Sequence, residues 1–233
     1  MKKINKILIV IQRANGDVLL SHSLINSLYK YYHQPKIDLL VNDDTIAIAE
    51  LLPNINSIHT FSYKEKREKH WSQEKKIIQK IFRKYDLSIN LTASDRSVIY
   101  SILAGKKSIS AIEKKPQKSW WKKIFLTYFY YFDTDKHILL NNIEPLSLLN
   151  INQELNNNFP EVSEHAINKV KRLLEITKIN KFIIFHPSAQ YDFKIYPKHL
   201  RDKLLIELNT LEIPIVITGS KNKLDLEIKK ELP

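Results

Sequence analysis

The feature that most constrains this sequence is the alternation of short β-branched apolar runs with longer segments whose apolar residues recur at helical spacing. The first run, from Lys6 to Ile11, is continuous, which is typical of a strand buried on both faces of a sheet. The segment from Val18 to Tyr32 that follows it has the spacing of an amphipathic helix. Because this unit repeats along the chain, we predict an α/β fold in which parallel strands are joined by helical crossovers.

The remaining apolar runs predict two such sheets. In the first part of the chain, strands are expected at residues 37–41, 58–61, 87–91 and 108–112, with helices at 45–52, 71–84 and 97–103. In the second part, strands are expected at residues 182–185 and 214–218, with helices at 160–176, 198–208 and 223–232.

An asparagine-rich stretch, residues 141–159, indicates a linker region with a broken helix. We therefore predict a first domain over residues 1–158 and a second over residues 159–233. Two strands cannot close a doubly wound domain. The second domain is therefore expected to be incomplete, and the chain to be truncated at its carboxyl end.

The composition limits the kinds of functional site that the chain can contain and the kinds of partner that it can bind. The 233 residues include no cysteine, which excludes disulfides, thiolate zinc sites and cysteine nucleophiles. The histidines show no pair at ligand spacing on one helix, so we predict no metal site. The formal net charge of +12 favours a polyanionic partner: a nucleic acid, an anionic lipid or a phosphorylated small molecule.

The amino terminus is basic, but the apolar run behind it extends only from Ile7 to Ile11 before Gln12 and Arg13 interrupt it. A signal peptide needs a longer apolar run, and a membrane-spanning helix needs roughly 20 apolar residues. We therefore expect a cytoplasmic protein whose contact with a membrane, where there is one, is peripheral.

Ligands of open parallel sheets bind at the carboxyl ends of the strands. In the first domain this rule points to two loops, Arg13 to Asp17 and Thr92 to Arg96. Both loops contain arginine and aspartate, the residue types that bind anions and exchange protons. We therefore expect the first domain's site at this edge.

Several segments, taken in order along the chain, form a recognisable set. The set opens with Arg13-Ala-Asn-Gly-Asp-Val18 after the first strand and includes His186-Pro-Ser-Ala-Gln-Tyr-Asp-Phe-Lys-Ile-Tyr-Pro197 after a later one. Its other members are Leu51 to Ile58, Tyr85 to Leu91, Asp95 to Ser97, Leu103 to Gly105, His137 with Asn141 or Asn142, and Ile215 to Gly219. This ordered set resembles glycosyltransferase family nine, the lipopolysaccharide heptosyltransferases.

The resemblance implies a GT-B fold, in which two Rossmann-like domains bind the acceptor and the nucleotide-sugar donor respectively, without a metal. The spacing from Arg13 to Gly16 is one residue shorter than in the family's opening motif. Ser188 replaces the family's common glycine and keeps a hydroxyl for phosphate, and Tyr196 replaces its tryptophan and keeps an aromatic wall. The family's Asp-Ser-Gly-x-x-His loop, which helps to hold the donor nucleotide, would lie beyond Pro233.

Asp17 is the predicted catalytic residue. Sugar transfer needs a base that deprotonates the acceptor hydroxyl as it attacks the anomeric carbon. A carboxylate at the carboxyl edge of the sheet, beside the flexible Gly16, can reach into a cleft. The alternative interpretation is that Asp17 caps the helix beginning at Val18, which is a common role for aspartate.

Five further residues are predicted to bind substrates. In the second domain, Lys194 would neutralise the diphosphate leaving group and Ser188 would donate a hydrogen bond to phosphate. In the first domain, Arg13 and Arg96 could hold an acceptor carboxylate or phosphate. Gly16, in the same loop as Arg13, is also predicted to contact the substrate. The alternative interpretation of Lys194 is a surface lysine without a role in binding. The alternative for Arg13 and Arg96 is that their aliphatic portions pack over the sheet edge.

The segment from Lys114 to Phe132 combines lysines with eight aromatic residues. This composition suits a membrane interface carrying anionic lipid, and it also describes surfaces that bind single-stranded nucleic acid. A core helix with a solvated lysine end is the third interpretation. The neighbouring Asp133-Thr-Asp135 imitates a metal-binding signature, but it does not follow a strand, so we interpret it as solvated.

The residues themselves predict a two-domain protein that handles anionic substrates. The resemblance implies an inverting glycosyltransferase that moves a heptose from ADP-heptose to the lipopolysaccharide inner core at the cytoplasmic face of the inner membrane. No cofactor is expected besides the nucleotide-sugar substrate. A family member that uses another nucleotide-sugar, or a non-catalytic remnant that binds the acceptor weakly, remains an alternative. A third alternative is a nucleic-acid-binding module. Only the net charge suggests it, and no recognised nucleic-acid motif supports it.

Overall fold

The computed structural model describes residues 3–68, 71–153, 162–189 and 192–233. The chain divides into two compact units, residues 1–162 and 163–233. The boundary predicted from the sequence, between residues 158 and 159, lies outside the described residues. The two units are described separately below.

The first unit is built on one parallel sheet. Its strands are β1 (Lys6–Ile11), β2 (Lys36–Asn42), β3 (Ile55–Phe61), β4 (Tyr85–Asn90), β5 (Gly105–Ile112) and β6 (Tyr128–Tyr131). Their spatial order is β3-β2-β1-β4-β5-β6, and every neighbouring pair is parallel. The chain adds strands outward from β1 on one side and then returns to the other side, so the order reverses between β1 and β4.

Helices connect these strands. They are α1 (Asn15–Leu19), α2 (His22–Tyr31), α3 (Ile46–Ala49), α4 (Tyr63–Glu68), α5 (Ser72–Ile81), α6 (Asp95–Ala104), α7 (Pro116–Phe125) and α8 (Ile138–Leu148). The first strand shows why the sheet needs helices on both faces. Ile7 and Ile9 belong to the same buried cluster as residues of α2 and α8, whereas Leu8 and Val10 pack with residues of α5 and α6. The continuous apolar run of β1 is thus explained by burial on both faces.

Gly105 begins β5 at a point where no side chain fits. A Cβ atom there would lie 2.5 Å from the carbonyl oxygen of Lys107 and 2.6 Å from the Oγ of Ser88. Neither partner can move easily, because Ser88 lies in β4 and its hydroxyl bonds the carbonyl of Ser101. Glycine at this position permits the close approach of β4, β5 and α6.

The aromatic segment differs from the expected single helix. The helix α7 ends at Phe125, and the Tyr-Phe-Tyr-Tyr sequence that follows forms β6, the edge strand of the sheet. The prediction of a core helix over the whole segment is therefore wrong. Aromatic residues favour pleated structure, and Tyr130 is buried while Tyr128 and Tyr131 are exposed.

Three other features of the first unit differ from the sequence prediction. The first helix begins at Asn15 rather than Val18 and is interrupted before His22, so α1 and α2 are separate helices. The predicted helix at 45–52 is a 3₁₀ turn followed by the four residues of α3. The asparagines at 141 and 142 are buried in α8 rather than exposed in a linker. Asn141 exchanges two hydrogen bonds of 2.9 Å with the backbone of Asp133, so its amide is needed for packing.

The second unit has a smaller parallel sheet of two strands, β7 (Ile183–Phe185) and β8 (Ile215–Ile217). Its helices are α9 (Glu164–Thr177), α10 (Lys198–Asn209) and α11 (Lys223–Lys230). All of these lie close to their predicted positions. No residue of α9 is buried within the described structure, and Ile184 of β7 is 63% exposed. In the described parts of the whole chain, no helix is both long and apolar enough to cross a bilayer.

Candidate functional site

The carboxyl ends of β1 and β4 form the topological switch point of the first sheet, where open α/β sheets bind their ligands. The backbone NH of Gln12, directly after β1, donates to the hydroxyl of Thr92 at 2.9 Å. The amide of Asn90, the last residue of β4, donates to the carbonyl of Thr92 and to the hydroxyls of Ser97 and Ser110. These bonds fix the two predicted loops beside each other.

Asp17 lies in this crevice and forms an ion pair with Arg13. The Nε of Arg13 donates to Oδ2 of Asp17 at 2.6 Å, and both side chains are partly exposed. The guanidinium of Arg13 also lies 4.6 Å from the ring centroid of Phe132. Among the described residues, the second carboxylate oxygen, Oδ1, accepts no hydrogen bond. A hydroxyl of a bound ligand could therefore approach it.

The capping interpretation of Asp17 is wrong. The helix α1 begins at Asn15, its N-cap is Ala14, and no side chain caps it. Asp17 is the third residue of the helix, and its backbone carbonyl accepts a hydrogen bond of 3.2 Å from the amide of Asn142. The buried Asn142 thus connects α8 to α1 and fixes the position from which the Asp17 side chain projects.

Gly16 is exposed, and its backbone does not need glycine for conformational reasons. Its φ is not positive, and a Cβ atom there would meet nothing within 4 Å. The open space leaves room next to Asp17.

Arg96, at the start of α6, is held across the crevice by three elements. Its Nε donates to Oε1 of Gln12 at 3.3 Å, and its Nη2 donates to the hydroxyl of Tyr63 at 2.9 Å. The guanidinium stacks on the ring of Phe61, 3.7 Å from the centroid. A guanidinium has five N–H donors, and these two bonds leave others for an anionic ligand. The strand-end contacts thus form two pairs, Arg13 with Asp17 and Gln12 with Arg96, which are linked through the adjacent backbone of Gln12 and Arg13.

Lys122 of α7 anchors the loop that carries Arg96. Its side chain is 0% exposed, and its Nζ lies 2.7 Å from Oδ1 of Asp95 and 2.6 Å from Oε2 of Glu113. It also donates to the carbonyl of Ala93 at 3.2 Å. A buried ammonium is costly unless it is paired and hydrogen-bonded, and these three oxygens satisfy it. Sequence reasoning missed Lys122, because nothing in a lysine-rich segment marks one lysine as buried.

Gln12 was missed as well, although it had a visible signal. It is the first polar residue after a buried apolar run, and the rule that directed attention to Arg13 applies equally to it. One of its amide atoms, Nε2, is buried without a partner among the described residues. Gln12 therefore both orients Arg96 and retains an unsatisfied donor at the switch point.

In the second unit, the carboxyl ends of β7 and β8 also lie side by side. The ring Nδ1 of His186 lies 3.0 Å from the hydroxyl of Thr218, and its Nε2 lies 3.3 Å from the hydroxyl of Ser188. Asp225 at the start of α11 accepts from the backbone NH of Ser220. This bond, with smaller contributions from neighbouring hydroxyls, lowers the pKa of the Asp225 carboxyl.

A cavity of about 590 Å³ lies at this edge. Ser188, Thr218 and Gly219 line it, together with two cations that the sequence did not single out, Lys221 and Lys229. Lys194, in a 3₁₀ turn, is not among the described lining residues, and its Nζ lies 5.9 Å from the ring centroid of Phe193. The structure therefore brings Ser188 to this cavity and leaves the role of Lys194 a prediction.

The acidic pair Asp133 and Asp135 lies in the loop that follows β6. Asp133 accepts from the backbone NH of Asp135 and from Lys114, and these contacts lower the pKa of its carboxyl, the backbone bond most strongly. Within the described residues, no group of three or more histidine or acidic side chains could hold a metal ion.

Comparison with known proteins gives relatives over most of the chain. No family model matches this sequence. Lipopolysaccharide heptosyltransferase 3 of Escherichia coli is 25% identical over 224 residues, which are 94% of this chain and 65% of that protein. The protein of the same name from strain K12 is 26% identical over 226 residues. The chain thus spans slightly less than two thirds of the length of these curated relatives.

Solved structures are similar to the chain in fold. The glycosyl transferase family 9 protein of Veillonella parvula superposes with a TM-score of 0.80 at 18% identity, covering 98% of this chain and 66% of that one. The E. coli heptosyltransferase WaaC with ADP-2-deoxy-2-fluoro heptose gives a TM-score of 0.72 at 16% identity, covering 97% and 72%. The E. coli ADP-heptose lps heptosyltransferase II gives 0.68 at 19% identity, covering 93% and 65%.

These comparisons confirm two predictions. The resemblance to glycosyltransferase family nine holds over nearly the whole chain, and the fold class is α/β of the GT-B type.

Proposed function

We propose that the protein is a glycosyltransferase that transfers a heptose from ADP-heptose to the lipopolysaccharide inner core, with inversion at the anomeric carbon. One observation carries the proposal. The carboxyl ends of β1 and β4 carry a partly exposed carboxylate, Asp17, which is paired with Arg13, and a second arginine, Arg96, which is hydrogen-bonded to Gln12. The class of sugar is taken from the two curated relatives and from two of the solved structures, which are named heptosyltransferases.

The acceptor is proposed to bind in this crevice. Arg96 can donate to a carboxylate or phosphate of the acceptor from a guanidinium that Phe61 and Tyr63 already orient. Because the side chain is held before the ligand arrives, little conformational entropy is lost on binding. Gly16 leaves space for the sugar next to Asp17.

Asp17 is proposed to be the general base. As the acceptor oxygen attacks the anomeric carbon, its proton passes to the free Oδ1 of Asp17, and the bond from that carbon to the diphosphate oxygen breaks. ADP leaves with the electron pair, and attack from the opposite face inverts the anomeric configuration. Arg13 holds the other oxygen at 2.6 Å and so orients the carboxylate.

The donor is proposed to bind at the edge of β7 and β8. Ser188 lines the cavity there and can donate to a phosphate oxygen, while Lys221 and Lys229 supply positive charge at the same cavity. Lys194 is proposed to approach the diphosphate when the donor is bound, as the family resemblance implies.

Peripheral contact with an anionic membrane surface is proposed for α7. Trp120, Ile124 and Phe125 are exposed on this helix, and Lys123 beside them is also exposed. Exposed aromatic and basic residues together suit the interface of an anionic bilayer. This placement accords with action on a lipid-linked acceptor at the cytoplasmic face of the inner membrane.

The test is a transfer assay with ADP-heptose and heptose-deficient lipopolysaccharide, followed by NMR of the anomeric configuration of the product. Asp17→Asn should lower kcat by about 10²- to 10⁴-fold, because it removes the proton acceptor and keeps the shape. Asp44→Asn, which changes an exposed aspartate after β2, is the matched control and should transfer normally. Full activity of Asp17→Asn would remove the base from the mechanism, and binding of acceptor without any transfer would support the non-catalytic alternative.

A further inference from the structure

The amino ends of the first sheet's strands, opposite the proposed acceptor edge, carry a set of cations that the proposed transfer reaction does not use. We call Lys6 of β1, Lys36 of β2, and Lys106 and Lys107 of β5 the amino-edge lysines. All four are exposed. The partial negative charge at the carboxyl end of a helix explains cations in its last turn, but these four lysines lie at the starts of strands.

Strand pairing places three of these lysines in one row. Lys6 lies directly opposite Lys36 in the pairing of β1 with β2. On its other side, the backbone NH of Lys6 donates to the carboxylate of Asp86 in β4 at 3.2 Å, and Nζ of Lys106 donates to the second oxygen of that carboxylate at 2.8 Å. The row therefore crosses four strands, which is roughly 14 Å at the usual strand spacing.

The charge of the row is only partly compensated. Asp86 is paired with Lys106, whereas among the described residues neither Lys6 nor Lys36 forms an ion pair. Like charges directly opposite each other on neighbouring strands repel. A polyanion lying along the row would relieve this repulsion.

A cleft of about 170 Å³ lies at the same edge, beside the carboxyl ends of α2 and α8. Tyr31, Tyr32 and Tyr128 line it, together with Lys107 and Asn150. Tyr31 is 44% and Tyr128 43% exposed, and Lys107 and Asn150 are exposed as well, so a ligand can reach their rings and polar groups. Tyrosine rings beside cations provide stacking faces for planar bases and positive charge for phosphates.

We infer that the amino edge of the first sheet binds single-stranded nucleic acid, with a base in the tyrosine cleft and phosphates along the amino-edge lysines. The two parts adjoin, because Lys106 of the row directly precedes Lys107 of the cleft. The row is longer than one phosphate group, which favours a strand over a free nucleotide. Basic and aromatic residues also suit an anionic bilayer, but these tyrosines line a cleft instead of projecting from a flat face.

The test titrates the whole protein into a fluorescein-labelled oligothymidine of about 12 nucleotides and follows fluorescence anisotropy in excess ADP. ADP occupies the donor site proposed in the second unit, and no sugar substrate is present, so the outcome is independent of the transferase proposal. We expect saturable binding with a Kd on the order of 10 µM at about 50 mM salt. The logarithm of the association constant should fall with the logarithm of the salt concentration with a slope of about −2 to −3, as for three or four phosphate contacts.

Tyrosine variants locate the cleft. Tyr128→Leu should weaken binding of the oligothymidine at least about 5-fold, because it removes a stacking face and keeps an apolar side chain. Tyr131→Leu is the matched control, since Tyr131 lies at the opposite end of the same strand and is 42% exposed. It should bind the oligothymidine as the wild type does.

Lysine variants locate the row. The double variant Lys6→Gln with Lys36→Gln should weaken binding and make the salt slope shallower by about 1.4, the value for two phosphate contacts. Lys75→Gln with Lys76→Gln removes the same charge from exposed positions of α5 and should leave the slope unchanged. Circular dichroism of each variant shows that it is folded before its titration is interpreted.

Four results would overturn the inference. The first two are no saturable binding to the folded wild-type protein, and displacement of the oligothymidine by ADP. The third is displacement by thymidine monophosphate at the concentration of the oligomer, which would indicate a site for free nucleotides. The fourth is that Tyr128→Leu and the Lys6, Lys36 double variant bind the oligothymidine as the wild type does but lose sedimentation with phosphatidylglycerol vesicles, which would assign the edge to a membrane.

Discussion

The two units present the same kind of edge, the carboxyl ends of parallel strands, in different surroundings. In the first unit the edge belongs to six strands whose central members are buried on both faces. In the second unit it belongs to two strands, and Ile184 at the middle of β7 is largely exposed. Side chains at the first edge are therefore held by packing, whereas those at the second edge lie on exposed loops.

The difference has a consequence for how each edge would bind a ligand. At the first edge, Arg96 is already positioned by Gln12, Tyr63 and Phe61. At the second edge, Ser188, the residue proposed to bind phosphate, lies within hydrogen-bond distance of a histidine that is itself exposed. We expect the first edge to bind with little rearrangement and the second to be ordered by its ligand.

The largest effect expected from this comparison concerns core truncation. Ile9→Ala in β1 should destabilise the first unit by about 2–5 kcal/mol, the usual cost of such a cavity. Ile184→Ala in β7 should cost under about 1 kcal/mol, because little apolar surface is lost from the interior. Urea unfolding followed by hydrogen exchange of peptides from each unit measures both. Equal costs would show that the two sheets are packed alike.

The next effect concerns the buried lysine beneath the first edge. Lys122→Met removes an ammonium with three oxygen partners, but Asp95 and Glu113 are partly exposed and water can solvate them, so we expect a loss of about 1–3 kcal/mol. The control Lys123→Met changes the adjacent exposed lysine and should cost under about 1 kcal/mol. A Lys122→Met protein as stable as the wild type would mean that the edge does not depend on this ion cluster.

A smaller effect concerns ligand binding at the first edge. Arg96→Met should raise the acceptor KM about 10- to 100-fold, since a hydrogen bond to a charged group contributes roughly 1.5–3 kcal/mol. The kcat should change less, because Asp17 is untouched. Steady-state transfer kinetics separate the two constants, with Lys75→Met on the exposed side of α5 as the control. An unchanged KM would place the acceptor elsewhere.

The smallest effect is a pH dependence of the first sheet. Burial lowers the pKa of His59, whose ring Nε2 lies 3.1 Å from the hydroxyl of Tyr85. Between this lowered pKa and the usual value of 6.5, the unfolded chain binds more protons than the folded one. The unfolding free energy of the first unit should therefore fall as the pH drops below 6.5, by at most about 1.4 kcal/mol per pH unit.

His59→Gln should remove this part of the acid dependence, and urea titrations at several pH values measure it. His199→Gln, in the exposed part of the second unit, is the control. If both variants keep the full acid dependence, the titrating group is not His59.

Much of the fold could be predicted from sequence because its determinants are local. The apolar run of β1 needs no tertiary information to be recognised as a buried strand, and the runs of β4 and β7 are recognised as strands in the same way. The rule that ligands bind at strand ends then placed Arg13, Asp17 and Arg96 at one edge, where the structure has them.

The remaining features depend on contacts between distant elements. The aromatic residues of β6 fit a helix or a strand by composition, and pairing with β5 decides between them. Asn142 resembles a linker residue until α8 packs against α2 and its amide donates to the backbone carbonyl of Asp17. Lys122 is one lysine among many until Glu113 and Asp95 are brought to it by β5 and α6. Local sequence patterns contain no information on such partners.

The central proposal is that the acceptor binds at the strand ends of the first unit and the donor at the strand ends of the second. Its most direct test is amide hydrogen exchange with each substrate alone. Heptose-deficient lipopolysaccharide oligosaccharide should protect peptides containing residues 12–17 and 92–97, and ADP should protect peptides containing residues 186–189 and 218–225. Protection should be larger on the ADP side, because that edge is ordered by its ligand. Protection of the first edge by ADP, or of only the second edge by the acceptor, would contradict the assignment of acceptor and donor to the two units.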